Sequence, residues 1–314
     1  MEYVVAAMSI VNDLQYADGR RVKQVTGGGL FMLGGVLSLR PQVGFVTVAG
    51  PDFEDYHGGF FAKNGLDTAG VHRTLPHTHY TTVYYAADGS WREESIYGPD
   101  YERDNAENTM IHGAWVAALC GRDTKAVYTE SGAEELFWRP EELGAIRAAA
   151  PKALLMWEVP HYNTFDPAQK PLIWPALRQV DLFSVNLREA RELFGAASRA
   201  EAIRAIQATG KPCFLRLGVE GSCVVLPGQK AVMVPSTGLA RTVDPTGCGN
   251  CSTAAAMVGF AEGMPPALIA ASANVAADYN ALQLGPCPEL TDPLRRQMAA
   301  EARALAARAV ELEA

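Results

Sequence analysis

From residue 112 onward the chain alternates short apolar runs with helix-forming stretches, and this alternation limits the possible folds more than any other feature. Ala114 to Leu119, Ala126 to Thr129, Ala153 to Glu158, Leu182 to Val185, Cys213 to Leu217 and Ser222 to Leu226 read as strands. Between them Glu134 to Phe137, Pro140 to Ala149, Arg188 to Phe194 and Arg199 to Thr209 read as helices. Runs that are apolar throughout belong to strands covered on both faces. The pattern therefore predicts an α/β fold whose central sheet is mainly parallel and lies between two helical layers. No repeat or low-complexity linker divides the 314 residues, so a single domain over 1–314 is expected. The end of the chain, Pro293 to Ala314, is rich in alanine and arginine and reads as a helix packed on the outside.

The first part of the chain reads differently. Tyr3 to Ile10 is a strand that brings Ser9, Asn12 and Asp13 to its carboxyl end, where open α/β sheets bind ligands. Asp18-Gly19 is a hairpin turn. Gly27-Gly28-Gly29 opens an apolar helix, Leu30 to Leu39; close backbone approach to a small substrate is one reading of these glycines, and helix capping by a flexible linker is the other. Val43 to Ala49 is a second buried strand, followed by a helix through Lys63 that ends at Asn64-Gly65. Residues 78–86 and 91–97 are β-rich and flank a second hairpin signal, Asp88-Gly89. With residues 14–25, the segment 75–97 is expected to form a small sheet of its own. His77 and His79 have no evident third ligand, so structural or substrate contacts are expected of them rather than a metal.

A net charge of −8 argues against a generic nucleic-acid or membrane-surface binder. No apolar run reaches membrane-spanning length, and residues 1–10 lack a basic leader, so a cytoplasmic protein is expected. Of the six cysteines, Cys248 and Cys251 form a C-x-x-C pair at the start of an apolar segment. A thiolate couple is one reading of that pair; small side chains fitted to a tight loop is the other.

That pair lies in the stretch Val243-Asp244-Pro245-Thr246-Gly247-Cys248-Gly249-Asn250-Cys251, which follows a strand-like run, Ala231 to Pro235, and leads into a helix. Close glycines opening a buried helix suit an anion, because the first-turn N–H groups point at it with the positive end of the helix dipole behind them.

Four motifs in order give the chain its resemblance. Residues 243–250 resemble D-[TP]-T-G-[AC]-G-D, the late signature of the ribokinase/PfkB carbohydrate kinases, in all but the last position, where Asn250 stands. Asn186-Leu187-Arg188-Glu189 is similar to that family's N-x-x-E. Leu217 to Gly221 resembles its T-x-G-x-x-G loop with Arg216 in place of the threonine, and Ser9 to Asp13 resembles its N-terminal substrate motif. The resemblance covers essentially the whole chain. It implies a ribokinase-like three-layer α/β sandwich with a small β lid formed from about 14–25 and 75–97. It also implies ATP-dependent phosphoryl transfer to a hydroxyl of a sugar, nucleoside or related small molecule.

By the same resemblance Gly247, Cys248 and Gly249 would supply backbone donors to the transferring phosphoryl group, with Asn250 at the position of the catalytic aspartate. Asp13 and Asn12, with Gly28 and Gly29, would hold the substrate. Asn186, Arg216, Gly218, Gly221 and Asn274 would meet ATP, and Glu189 would hold Mg2+ through water. A homodimer through the lid is expected. An amide cannot accept a proton, so Asn250 attenuates this expectation. A ligand-binding protein built on the same pocket is the alternative, and a thiol redox protein a third. The substrate motif G-G-x-x-x-N is also only half present, since its asparagine is missing.

Overall fold

The first apolar run divides between two sheets. β1 (Tyr3–Ala6) is buried along its length and sits inside a ten-stranded sheet, whereas β2 (Ser9–Tyr16) leaves it for a separate four-stranded one. The break falls at Ala7-Met8, where the Gly29 N–H donates to the Met8 carbonyl at 2.7 Å and takes it out of either ladder. The computed structural model describes residues 1–87, 91–237 and 242–313.

After β2 the chain turns at Asp18-Gly19 into β3 (Arg21–Gly28) and α1 (Gly29–Leu37), then β4 (Gly44–Val48), α2 (Phe53–Lys63), β5 (Val71–His72), β6 (Tyr80–Tyr85) and β7 (Trp91–Ser95). Next come α3 (Tyr101–Asp104), α4 (Gly113–Leu119), β8 (Ala126–Thr129), α5 (Pro140–Ala149), β9 (Leu154–Glu158), α6 (His161–Phe165) and α7 (Lys170–Gln179). β10 (Leu182–Asn186), α8 (Leu187–Phe194), α9 (Arg199–Ala208), β11 (Cys213–Arg216), β12 (Gly221–Val225) and β13 (Ala231–Pro235) follow. The chain closes with α10 (Cys248–Ala261), α11 (Pro266–Asn280), α12 (Asp292–Ala306) and β14 (Val310–Leu312).

The main sheet runs β14-β13-β12-β11-β10-β9-β8-β1-β4-β5; it is parallel from β5 to β11 and antiparallel beyond. Successive residues of β1 face opposite cores. Tyr3 and Val5 pack with α1, α2, α10, α11 and α12, while Val4 and Ala6 pack with α4, α5, α7, α8 and α9. This is the expected three-layer α/β arrangement. The second sheet runs β3-β2-β6-β7 and is built from 9–28 and 80–95. The Asp88-Gly89 hairpin signal lies outside the described residues.

Three sequence readings need correction. Ala114 to Leu119 is the helix α4, not a strand: a six-residue apolar run carries no period of its own, and alanine and leucine favour the helix. Glu134 to Phe137 is a turn leading into a short 3₁₀ segment, Leu136–Trp138, because the Glu135 carboxylate accepts the Gly132 N–H and holds the chain in a tight bend. The C-terminal segment is helical only to Ala306 and then adds β14 to the free edge of β13.

α1 and α10 are both apolar around their circumference, as buried helices are, and they pack against each other. A Cβ on Gly35 would fall 2.1 Å from the Cys251 carbonyl oxygen, so the two backbones approach as closely as glycine permits. At the far end of α10, Glu262 ties the helix to the sheet and to the end of α1. It accepts the Tyr3 hydroxyl, Lys125 Nζ at 3.0 Å and Arg40 Nε at 3.2 Å.

The Tyr3 hydrogen bond, with Lys125 and Arg40, holds the Glu262 carboxyl down at about 2 against its partial burial. A carboxyl lowered on folding stabilises the protein above its unfolded pKa, and that contribution is lost as pH falls toward the folded value. Urea unfolding of wild type is therefore expected to weaken between about pH 4.5 and 2 partly through this group. Glu262→Gln is expected to be less stable at neutral pH and to show a flatter dependence across that window.

Candidate functional site

The loop before α10 is held by its own side chains. Asp244 Oδ1 accepts the Thr246 N–H at 3.0 Å and its hydroxyl at 2.7 Å, and Asn280 Nδ2 donates to the Thr246 carbonyl at 2.9 Å. Gly247 caps the helix at φ 73°, and a Cβ there would enter the Phe31 ring at 2.1 Å. The Cys248 and Cys251 amides bond to Pro245 and Gly247, while those of Gly249 and Asn250 have no backbone acceptor among the described residues. They form a two-amide anion hole at the positive end of α10.

The cysteines beside this hole act as packing groups. Cys248 Sγ donates to the Ala277 carbonyl at 3.3 Å and Cys251 Sγ to that of Ala276 at 3.5 Å. Burial raises both thiols, the reverse of what a thiolate couple needs. The redox reading finds no support in this environment.

Asn186 and Glu189 form a capping box at the start of α8. Asn186 Oδ1 accepts the Glu189 N–H at 2.8 Å, and Glu189 Oε2 accepts the Asn186 N–H at 2.7 Å. Arg216, at the end of the adjacent strand β11, donates Nη2 to Glu189 Oε2 at 3.2 Å and Nη1 to Glu158 Oε1. The guanidinium also lies on the first turn of α10, where a Cβ on Gly249 would meet Nη1 at 2.5 Å. Glu189 Oε2 is thus taken by Arg216 and the Asn186 N–H, which leaves Oε1, 3.6 Å from His161 Nδ1, as the oxygen that would hold magnesium through water. Among the described residues no group of three or more His, Cys, Asp or Glu side chains is arranged to hold a metal. His77 and His79 instead lie beside different acids, Asp52 at 3.7 Å and Glu102 at 3.1 Å.

Beyond Arg216 opens a cavity of about 350 Å³ lined by Asn186, Arg216, Gly218, Gly221, Cys248 and Gly249, with Asn274 in its wall. Asn274 is buried. It donates to the Val234 and Pro235 carbonyls at 3.0 and 3.1 Å and accepts the Ser222 hydroxyl at 2.7 Å, so its amide knits α11 to β12 and β13.

Asp13, Asn12, Gly28 and Gly29 lie apart from that cavity, on the second sheet and its junction with α1. The β2–β3 register shifts between Asn12 and Leu14, and Gln24 opposite has φ 56°. Asp13 Oδ1 steadies this bulge by accepting the Gln24 N–H at 2.9 Å and the Tyr80 hydroxyl at 2.6 Å. Asn12 Oδ1 accepts the Thr81 hydroxyl at 2.8 Å. Gly28 adopts φ 58°, and a Cβ on it would meet the Met8 carbonyl at 2.4 Å. The Phe31 ring spans the gap to α10, since Cβ atoms on Gly27 and Gly247 would touch it from either side at 2.9 and 2.1 Å. Tyr85 Oη lies 3.5 Å from Thr246 Oγ1.

Sequence reasoning missed two carboxylates. Glu158, at the end of β9, is 3% exposed and holds both Arg216 and the Tyr128 hydroxyl. Glu130 follows β8 directly and accepts from Asn250 Nδ2 at 3.3 Å. Their signal was positional: each stands at the carboxyl end of a parallel strand.

Residues 13–292 match the pfkB family of carbohydrate kinases. The chain belongs to that family. No curated protein matches it in sequence. Solved ribokinase-like structures share its fold. A putative Ribokinase II from E. coli in complex with ATP and Mg2+ aligns at TM-score 0.73 and 16% identity, over 96% of this chain and 99% of that one. Arabidopsis thaliana ribokinase complexed with ribose and ATP gives 0.67 and 18%, over 96% and 98%. Adenosine kinase from Sinorhizobium meliloti gives 0.69 and 19%, again over 96% and 98%. Among the described residues no helix of this pfkB protein is long and apolar enough to cross a membrane.

The Arg216 side chain is 14% exposed and those of its two partners 4% and 5%, so removing it strands buried charge. Arg216→Ala is expected to cost about 3–5 kcal/mol in chemical unfolding. Arg216→Lys should recover only part of this, because a point charge cannot fork between two carboxylates.

Proposed function

We propose that this pfkB protein transfers the terminal phosphoryl group of ATP to a hydroxyl of a sugar, nucleoside or related small molecule. The observation that carries the reading is the convergence of the α10 anion hole, Arg216 and the 350 Å³ cavity on one place. Phosphoryl transfer asks chiefly for positioning and charge neutralisation. In this reading the nucleotide lies in the cavity between the Gly218–Gly221 turn and α11, and its phosphates run toward the Gly249 and Asn250 amides. Preorganised dipoles there meet charge as it develops. Arg216 supplies a fixed positive charge at the same point. Magnesium would come with the nucleotide, as in the E. coli complex, and meet Glu189 Oε1 through water.

The acceptor molecule sits across Phe31, under the four-stranded sheet acting as a lid, within reach of Asp13 and Asn12. Asp13 Oδ1 is already committed to the bulge, so substrate hydroxyls fall to Oδ2. Gly28 and Gly29 are needed for the junction itself, which accounts for them without a ligand contact. The free edges of β3 and β7 support a homodimer through the second sheet, and light scattering at micromolar concentration is expected to give twice the chain mass.

Asn250 favours a second reading, a binding protein without turnover, because an amide at that point accepts no proton. ATP consumption separates the two. Ribose, fructose, adenosine and inosine are to be screened by thermal shift with and without Mg-ATP, and each hit assayed for ADP. Ligand-dependent ADP formation is expected; stabilisation by ligand and ATP without ADP would establish the binding protein instead. Asp13→Asn, which keeps an acceptor for Gln24 and Tyr80, is expected to weaken the acceptor ligand about tenfold, roughly the loss of one charge-assisted hydrogen bond. Unchanged affinity would remove Asp13 from the site.

A further inference from the structure

We propose that Glu130 accepts the proton of the substrate hydroxyl, the task that Asn250 cannot perform; this rests on the kinase reading above. The carboxylates around the α10 N-terminus divide by their commitments. Asp244 is held by Thr246, Glu158 by Arg216 and the Tyr128 hydroxyl, and Glu189 by Arg216 and the Asn186 N–H. Glu130 differs. Among the described residues its one hydrogen-bond partner is the Asn250 amide at 3.3 Å, a neutral group, and its second oxygen is uncommitted.

Position decides the matter further. Asn250 belongs to the first turn of α10, and its own N–H is one of the two in the anion hole. A carboxylate touching that side chain therefore lies beside the two free amides of that turn. Both Glu130 and Asn250 are half-buried, so the pair is not sealed in the core. Asn250 turns its Nδ2 to Glu130 and so orients that carboxylate.

The groups facing Glu130 set its basicity. Burial, then the charge of Glu158, raises its carboxyl well above the ordinary range; Arg216 and the Asn250 hydrogen bond pull it down, and Glu189 adds to the rise. Tyr128 and Tyr162 complete the surroundings, and burial holds both phenols neutral. A carboxylate of raised pKa is the stronger base once ionised.

The step balances as follows. The substrate O–H bond breaks and its proton passes to Glu130, while the oxygen forms a bond to the γ-phosphorus of ATP. The bond from that phosphorus to the β–γ bridging oxygen breaks, and its electron pair leaves with ADP. Glu130 later returns the proton to water.

The test uses the full-length protein, Mg-ATP and whichever of ribose, fructose, adenosine or inosine supports ADP formation. Glu130→Gln is expected to lower kcat by ~10²–10⁴-fold with KM little changed. Wild-type kcat should rise with pH through a pKa above the usual carboxylate range, and the variant should lose that limb. Adding Asn250→Asp to Glu130→Gln should restore kcat to within about tenfold of wild type, because either side chain can then present the carboxylate. Glu130→Gln with wild-type kcat and pH profile overturns the proposal and leaves the kinase reading intact. So does a loss that Asn250→Asp fails to restore, since a merely structural role would not be rescued by a carboxylate across the gap. If Glu130→Gln does not fold, the wild-type profile decides: a kcat flat from about pH 5 to 8 overturns the assignment. A wild type that forms no ADP with any of the four overturns the kinase reading itself, and the proposal with it.

Discussion

The backbone contact between α1 and α10 sets the geometry of everything around the site. Gly35 faces the Cys251 carbonyl with no room for a methyl group, and Gly247 faces the Phe31 ring in the same way. These contacts fix α10 in depth and along its axis, so the Gly249 and Asn250 amides arrive at the ends of β8, β9 and β11 and not a turn away from them. α1 is also the direct continuation of β3. One helix therefore carries the anion hole on its flank and the second sheet on its N-terminus. A change in the α1–α10 contact would move both halves of the site together.

Charge at the site follows from that placement. A guanidinium beside the N-terminus of a helix faces a like field, and Arg216 would be poorly placed if it met α10 alone. Glu158 and Glu189 compensate it, and both are nearly inaccessible to water. With Glu130 beside them, three carboxylates lie around one guanidinium, and burial together with the charge of Glu158 raises the Glu130 carboxyl.

Much of this was legible in the sequence because it is local. The glycines around Cys248, the Asn186–Glu189 spacing and the doubly buried strands are short patterns with short-range causes, and the fold follows from them. What could not be read is long-range. Asn186-x-x-Glu189 looks alike whether it caps a helix, holds a cation or does both, and only the arrival of Arg216 from β11 shows which carboxylate oxygen is left for a cation. Glu130 has nothing distinctive on either side, and its meaning comes from Asn250, far along the chain. Asn274 could be placed on its helix but not given its three internal partners. Ala114 to Leu119 failed for a different reason, since a run too short to show a period left only its alanines and leucine to mark it as a helix.

The junction at Ala7-Met8 and Gly28 has a mechanical consequence. Both strands of the β2–β3 hairpin leave the body of the protein at this point, clasped around the single Met8 carbonyl. The hairpin springs from that support and is braced along β2 by its pairing with β6. Its arm, the eight residues of β2, is roughly 25 Å long at ~3.3 Å per residue, so a tilt of about 10° at the support displaces the tip by about 4 Å. At that tip Tyr16 stacks on Tyr85 with ring centroids 5.2 Å apart, and Tyr85 reaches Thr246, the residue before Gly247. Support and tip thus both bear on the N-terminal end of the α1–α10 pair, where Phe31 packs on Gly247.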